Sequence, residues 1–198
     1  MKARYSICAA AVVAALAAGA AAFGATYTSP DASVVVTAST IELAQNRVVV
    51  AAGRARVVAV DKAAGTKLEA DAAKIQVVFV GGPGARPGIG SVSSAEMAGP
   101  VKIVYTSVKP GEPITTVTAN ADSAVYDGKT GIAKLTGNVK ITSDDPSRFA
   151  APAVMTGDVA SVNLRADLGP EDFRFRLESS PGVSRIEVTP KPQEKPDK

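Results

Sequence analysis

Runs of β-branched and aromatic residues punctuated by turn residues cover most of this chain. Val34–Val36, Val48–Val50, Val57–Val60, Ile75–Val80, Val101–Tyr105, Ile114–Thr118, Val139–Thr142 and Ile186–Thr189 are of this kind, the composition that a pleated, half-buried surface favours. Asn46, Gly65, Pro110-Gly111, Asp127-Gly128, Asp144-Asp145-Pro146, Gly169-Pro170 and Pro181-Gly182 separate them and read as turns. No stretch after Thr26 carries a helical period. Short strands with regular turns predict an all-β sandwich, barrel or open roll.

Register follows from alternation, because successive strand side chains point to opposite faces. Three segments align on a glycine: Val49–Val58 on Gly53, Ala95–Val104 on Gly99 and Ala133–Thr142 on Gly137. One face collects Val49, Ala51, Ala55 and Val57, then Ala95, Met97, Val101 and Ile103, then Ala133, Leu135, Val139 and Ile141. The other collects Arg54, Arg56, Glu96, Lys102, Lys134, Asn138 and Lys140. The apolar face keeps its phase in all three copies, which marks structural repetition. An Ala-Asp-x-Ala element recurs between them, aligning Asp71, Asp122 and Asp158, with Thr37–Leu43 as a worn first copy. Phe173–Glu178 adds a clean apolar/polar alternation. Stacked ribbons of this kind bury one shared face, each needing its neighbours.

The ends differ from this pattern. Lys2 and Arg4 precede an apolar, alanine-rich run from Ile7 to Phe23 with small residues after it, the layout of a secretory signal. Cleavage after Gly24 places Ala22 and Gly24 at the two small positions, giving a signal at 1–24, one domain at 25–189 and a charged, proline-rich, disordered tail at 190–198. An uncleaved anchor is the alternative, although the run is near the shortest length that spans a bilayer. Removal of Lys2 and Arg4 leaves 20 basic residues of the original 22 against 19 acidic ones. A nearly neutral mature chain gives no reason to expect a nucleic-acid partner.

Candidate chemistry is sparse. Cys8, the single cysteine, lies inside the leader and histidine is absent. That removes disulfides, a thiol nucleophile, the usual general base and the commonest transition-metal ligand. No cofactor is expected. Gly81–Gly90 matches neither a dinucleotide nor a P-loop spacing and reads as a long loop. Gly128-Lys129-Thr130 lacks the upstream glycine of a P-loop, since position 123 is serine, and reads as a hairpin turn. Arg56, Lys102 and Lys140 recur at one place on the polar face. They suit either phosphate contacts or, more simply, a solvated face that discourages aggregation. The recurrent aspartates suit backbone capping at turn entries better than calcium.

Thr118–Asp127 (TANADSAVYD) followed by Leu135–Thr142 (LTGNVKIT) resembles the LptA/OstA-like family of periplasmic lipopolysaccharide-transport proteins, of which LptC is a relative. The resemblance implies an open β-jellyroll whose interior shields acyl chains crossing the periplasm. It implies lipopolysaccharide or a related glycolipid as cargo, and end-to-end strand pairing with other jellyroll domains of one transport system. On that footing Val49, Val57, Met97, Val101, Ile103, Leu135, Val139, Ile141 and Phe175 are the expected lipid-lining residues. An unclosed sheet also predicts head-to-tail association of copies through its edges, with Pro190 and Pro192 limiting pairing after Thr189. If the leader is retained, an LptC-like component anchored in the inner membrane is implied instead. A structural surface repeat with a filled interior is a further alternative. A hydrolase using serine with lysine or paired carboxylates is another, but no motif sets a nucleophile beside a base.

Overall fold

The computed structural model describes residues 24–29, 32–44, 48–79, 92–108, 111–164, 171–173 and 175–191. The leader, the 81–90 loop and the tail from 192 lie outside them. Eleven strands form one antiparallel sheet: β1 (Ala25–Thr28), β2 (Val34–Ala38), β3 (Thr40–Ala44), β4 (Val48–Asp61), β5 (Thr66–Phe79), β6 (Val92–Ser107), β7 (Thr115–Asp127), β8 (Ile132–Asp144), β9 (Phe149–Asn163), β10 (Phe175–Glu178) and β11 (Arg185–Pro190). No helix occurs among the described residues. From β4 to β9 each strand pairs with the next in sequence. The sheet does not close.

Six strands are much longer than the apolar runs suggest, because each continues through its middle. β4, β6 and β8 carry one extra residue there. Gly53-Arg54 stands against the single Ala73, since Ala52 pairs with Lys74 and Ala55 with Ala72. Gly99-Pro100 stands against Asp122, and Gly137-Asn138 against Asp158. A bulge of this kind bends its strand and sharpens the local twist. The bulges fall side by side, so together they crease the whole sheet.

Glycine is required at the crease. Gly53, Gly99 and Gly137 have φ of 76°, 88° and 79°, the left-handed region that a Cβ disfavours. Each also abuts the neighbouring ribbon: a Cβ would lie 2.7 Å from Ser39 Oγ, between β2 and β3, 2.6 Å from Ala73 Cβ of β5 and well inside contact distance of Asp122 Oδ2 of β7, respectively. The terminal ribbons are creased at the same height by interruption. β2 pairs with the far half of β4 and β3 with its near half, the chain breaking at Ser39, whose N–H and hydroxyl both donate to Gly53 O. β10 and β11 divide β9 in the same way. There Ser179 Oγ accepts from the Asp158 N–H at 3.1 Å, and Asp158 Oδ2 accepts from the Ser180 N–H at 2.9 Å.

The crease yields two leaves that face each other. One holds the later halves of β4, β6 and β8 with the earlier halves of β5, β7 and β9; the other holds the remainder. Between them lies the core, in which Val34, Val36, Val49, Ile75, Leu135, Val139 and Ile141 are the largest fully buried side chains. Tyr27 of β1 meets Phe79 of β5 across the gap, ring centroids 6.2 Å apart.

The outer face of the first leaf carries the recurrent cations. Arg56, Lys102 and Lys140 lie in one cross-strand row, alternating with Asp71 and Asn120. Glu69 accepts from Arg56 Nη2 at 2.7 Å and pairs with Lys67 Nζ at 3.1 Å. The hydrogen bond from Arg56, then that from Lys67, holds the Glu69 carboxyl below the ordinary glutamate range. A depressed carboxylate pKa adds stability above the ordinary value that is lost as pH falls through the folded one. Glu69→Gln is therefore expected to flatten the acid limb of a stability–pH curve. Its cost at neutral pH should stay under about 1 kcal/mol, as for other exposed pairs. Parallel acid limbs in urea unfolding would remove Glu69 from the account.

The second sequence repeat needs correction. Through β6, Asp71 and Asn120 are both partners of Lys102, while Ile75 and Ala124 are both partners of Met97. Asp71 therefore corresponds to Asn120 rather than Asp122, and the true match is displaced by two residues. The aspartates are not at turn entries either. Asp122 and Asp158 sit at the crease, where Asp122 Oδ2 accepts from Asn138 Nδ2 at 2.9 Å, and Asp71 pairs with Arg56. The hairpin at Gly128 is as expected: Asp127 Oδ1 accepts from the Lys129 N–H, and Gly131 N–H closes on Asp127 O.

Candidate functional site

A cavity of about 120 Å³ lies between the leaves. Its walls come from both sides of the crease. Val57, Ala70, Ile103, Tyr105, Val117, Ala119 and Ile141 stand on the first leaf; Ile75, Val77, Ala95, Met97, Ala124, Tyr126, Leu135 and Val162 stand on the second. Among the described residues no charged side chain lines it. Small side chains make the space: Ala70, Ala95, Ala119 and Ala124 are wall residues drawn from three neighbouring strands. Larger residues at these positions would fill the space to the density of an ordinary close-packed core.

Of the nine residues expected to line the interior, Val57, Met97, Ile103, Leu135 and Ile141 border this cavity. Val101 and Val139 do not. Each lies two residues past a crease glycine, where the leaves converge and side chains fill the angle, and both are buried in the core. Val49 is buried beside Leu43 and Val77 on the outer ribbons of the second leaf. Phe175, on β10, packs against the core from beside Val162 without reaching the cavity.

Sequence reasoning missed much of the wall contributed by β5, β7 and β9. The glycine strands keep their phase across the crease because the extra residue makes an even step, Ala51 to Ala55. Their neighbours have no extra residue, and an inward side chain is followed by another three positions on: Ala72 then Ile75, Ala121 then Ala124. Strict alternation therefore assigns one half of each such strand to the wrong side.

The electrostatics are simple. Burial, with a smaller contribution from the charge of Asp127, pushes the Tyr126 phenol above its ordinary value, so it remains a neutral donor through the physiological range. Among the described residues no group of three or more acidic side chains is placed to hold a metal ion.

Comparison with known proteins extends this picture. No family model matches the chain, and no curated protein does. Among solved structures it is similar to LptH of Pseudomonas aeruginosa, the LptA-homologous periplasmic component of a lipopolysaccharide transport device. The TM-score is 0.51 at 14% identity, over 80% of this chain and 95% of LptH. Such low identity speaks to architecture. The creased, unclosed, antiparallel sheet described above is an LptA-like β-jellyroll.

Proposed function

We propose that this chain is a non-enzymatic periplasmic carrier of lipopolysaccharide or a related glycolipid, serving as part of a bridge between membranes. The observation that carries the reading is the cavity, lined by apolar side chains among the described residues, between two leaves of a sheet that does not close. Acyl chains need no directional partner. Each methylene moved from water into an apolar space gains about 0.8 kcal/mol, so roughly a dozen supply about 10 kcal/mol before the costs of association. Opening the leaves along the crease would admit more chain than the resting cavity holds. The likeness in fold to LptH supports the same cargo and compartment.

The edges supply the second half of the reading. β1 and β3 end the sheet on one side, β10 and β11 on the other. Each edge offers unpaired backbone groups to a strand from a further jellyroll domain or a second copy. Such pairing would join one apolar interior to the next. Were residues 1–24 retained, the same domain would work as an LptC-like component held at the inner membrane.

Photo-crosslinking tests the carrier role. Met97 borders the cavity, whereas its neighbour Glu96 is exposed on the outer face. With lipopolysaccharide as probe, a crosslinker at Met97 is expected to capture lipid and one at Glu96 is not. Equal capture at the two positions would overturn the proposal.

A further inference from the structure

The cavity wall contains two side chains with a hydrogen-bonding oxygen, Tyr105 and Tyr126. Every other described wall residue is aliphatic or methionine. The two are placed alike. Tyr105 lies two residues from the end of β6 on the first leaf, and Tyr126 one residue from the end of β7 on the second. They therefore stand near the mouth, away from the crease, on opposite walls. Both are half-buried. The cross-strand neighbours of Tyr105 are Leu68 and Val117, and those of Tyr126 are Ala95 and Ala133. None offers a side-chain partner, and no buried side-chain oxygen among the described residues lacks one, so both hydroxyls are open to solvent at the mouth, where a ligand acceptor can replace water. A partly buried tyrosine normally finds an acceptor for its hydroxyl.

Resting on the lipid-carrier reading, we propose that Tyr105 and Tyr126 are specificity-determining residues that hydrogen-bond the ester or amide carbonyls where acyl chains join their headgroup. The chemistry narrows the acceptor. A phosphate or carboxylate drawn into this space would meet no counter-charge among the described residues that line it. A carbonyl is neutral, accepts from a phenol, and sits at the head of an acyl chain. Chains would thus lie toward the crease, carbonyls at the tyrosine level and the charged headgroup outside. The raised Tyr126 pKa keeps its proton available for donation.

The test exchanges the carbonyl and nothing else. Displacement of the apolar fluorophore N-phenyl-1-naphthylamine from the mature chain is measured with dioctanoyl phosphatidylcholine and with its dioctyl ether counterpart. Wild type is expected to favour the ester by about fivefold, the scale of one or two modest hydrogen bonds. The double variant Tyr105→Phe/Tyr126→Phe is expected to lose that preference, the ester-to-ether ratio falling to about one, with each protein's displacement referred to its own fluorophore affinity. A wild type that treats the two lipids alike, or a double variant that still prefers the ester, overturns the anchor and leaves the carrier reading standing. Failure of the wild type to bind fluorophore or either lipid overturns both.

Discussion

Gly137→Ala is expected to lower the free energy of unfolding by about 3 kcal/mol. Two causes add. At φ of 79° the backbone is in the left-handed region, where a Cβ costs about 1–2 kcal/mol. The added carbon would also lie 2.8 Å from Asp122 Cγ and 2.9 Å from Asp122 Cβ, contacts that rotation of the carboxylate cannot relieve. Asp122 would have to withdraw, and with it the hydrogen bond from Asn138. Gly111 shows the first cause alone. It has the same φ of 79°, yet nothing lies within 4 Å of its notional Cβ, so Gly111→Ala should cost only about 1 kcal/mol by the backbone effect. Urea unfolding of both variants separates conformation from contact. A double-mutant cycle with Asp122→Gly should then recover part of the Gly137→Ala loss. Equal losses at 111 and 137 would mean the crease is not close-packed.

The second large effect is expected in the wall. Leu135 is 1% exposed and borders the cavity. Leu135→Ala is expected to cost about 3–4 kcal/mol, toward the upper part of the usual range, because the vacated volume joins an existing space instead of collapsing. Lys134→Ala, one position along on the exposed face, should stay within about 0.5 kcal/mol. The contrast between adjacent residues measures how strictly the alternation separates inside from outside. Lipid at saturating concentration should narrow the Leu135→Ala deficit, since a ligand bound only to the folded state stabilises it by mass action. A deficit below about 1 kcal/mol without lipid would mean that the wall is slack at that point.

The strands and one whole set of inward faces were legible in the sequence, and the reasons are local. Val49, Leu135 and Ile141 announce their side through alternation alone, and Asp127-Gly128 announces its hairpin through turn chemistry. Other features depend on what lies next door. That Val49–Val58 is a single bent strand follows from Gly53 resting on Ser39, a contact between ribbons. The half-step at Ala121–Ala124 is imposed by the extra residue in β6 and β8 on either side, and nothing within β7 records it. For the same reason the aspartate alignment slipped by two at Asp71, where like residues stood in for like positions. The tyrosines escaped notice because Tyr105 and Tyr126 each look like ordinary strand aromatics until both are seen to border one cavity.

Because the surplus residue occurs in every second strand, the smallest piece that can be copied without disturbing the bend is a hairpin, not a lone strand. Duplicating one hairpin would preserve the sequence of bent and straight-through members and lengthen the channel by about 10 Å, twice the inter-strand spacing. Inserting an odd number would place two surplus residues, or none, beside each other and throw the fold line out of true. Lineages that elongate this domain should therefore do so in pairs.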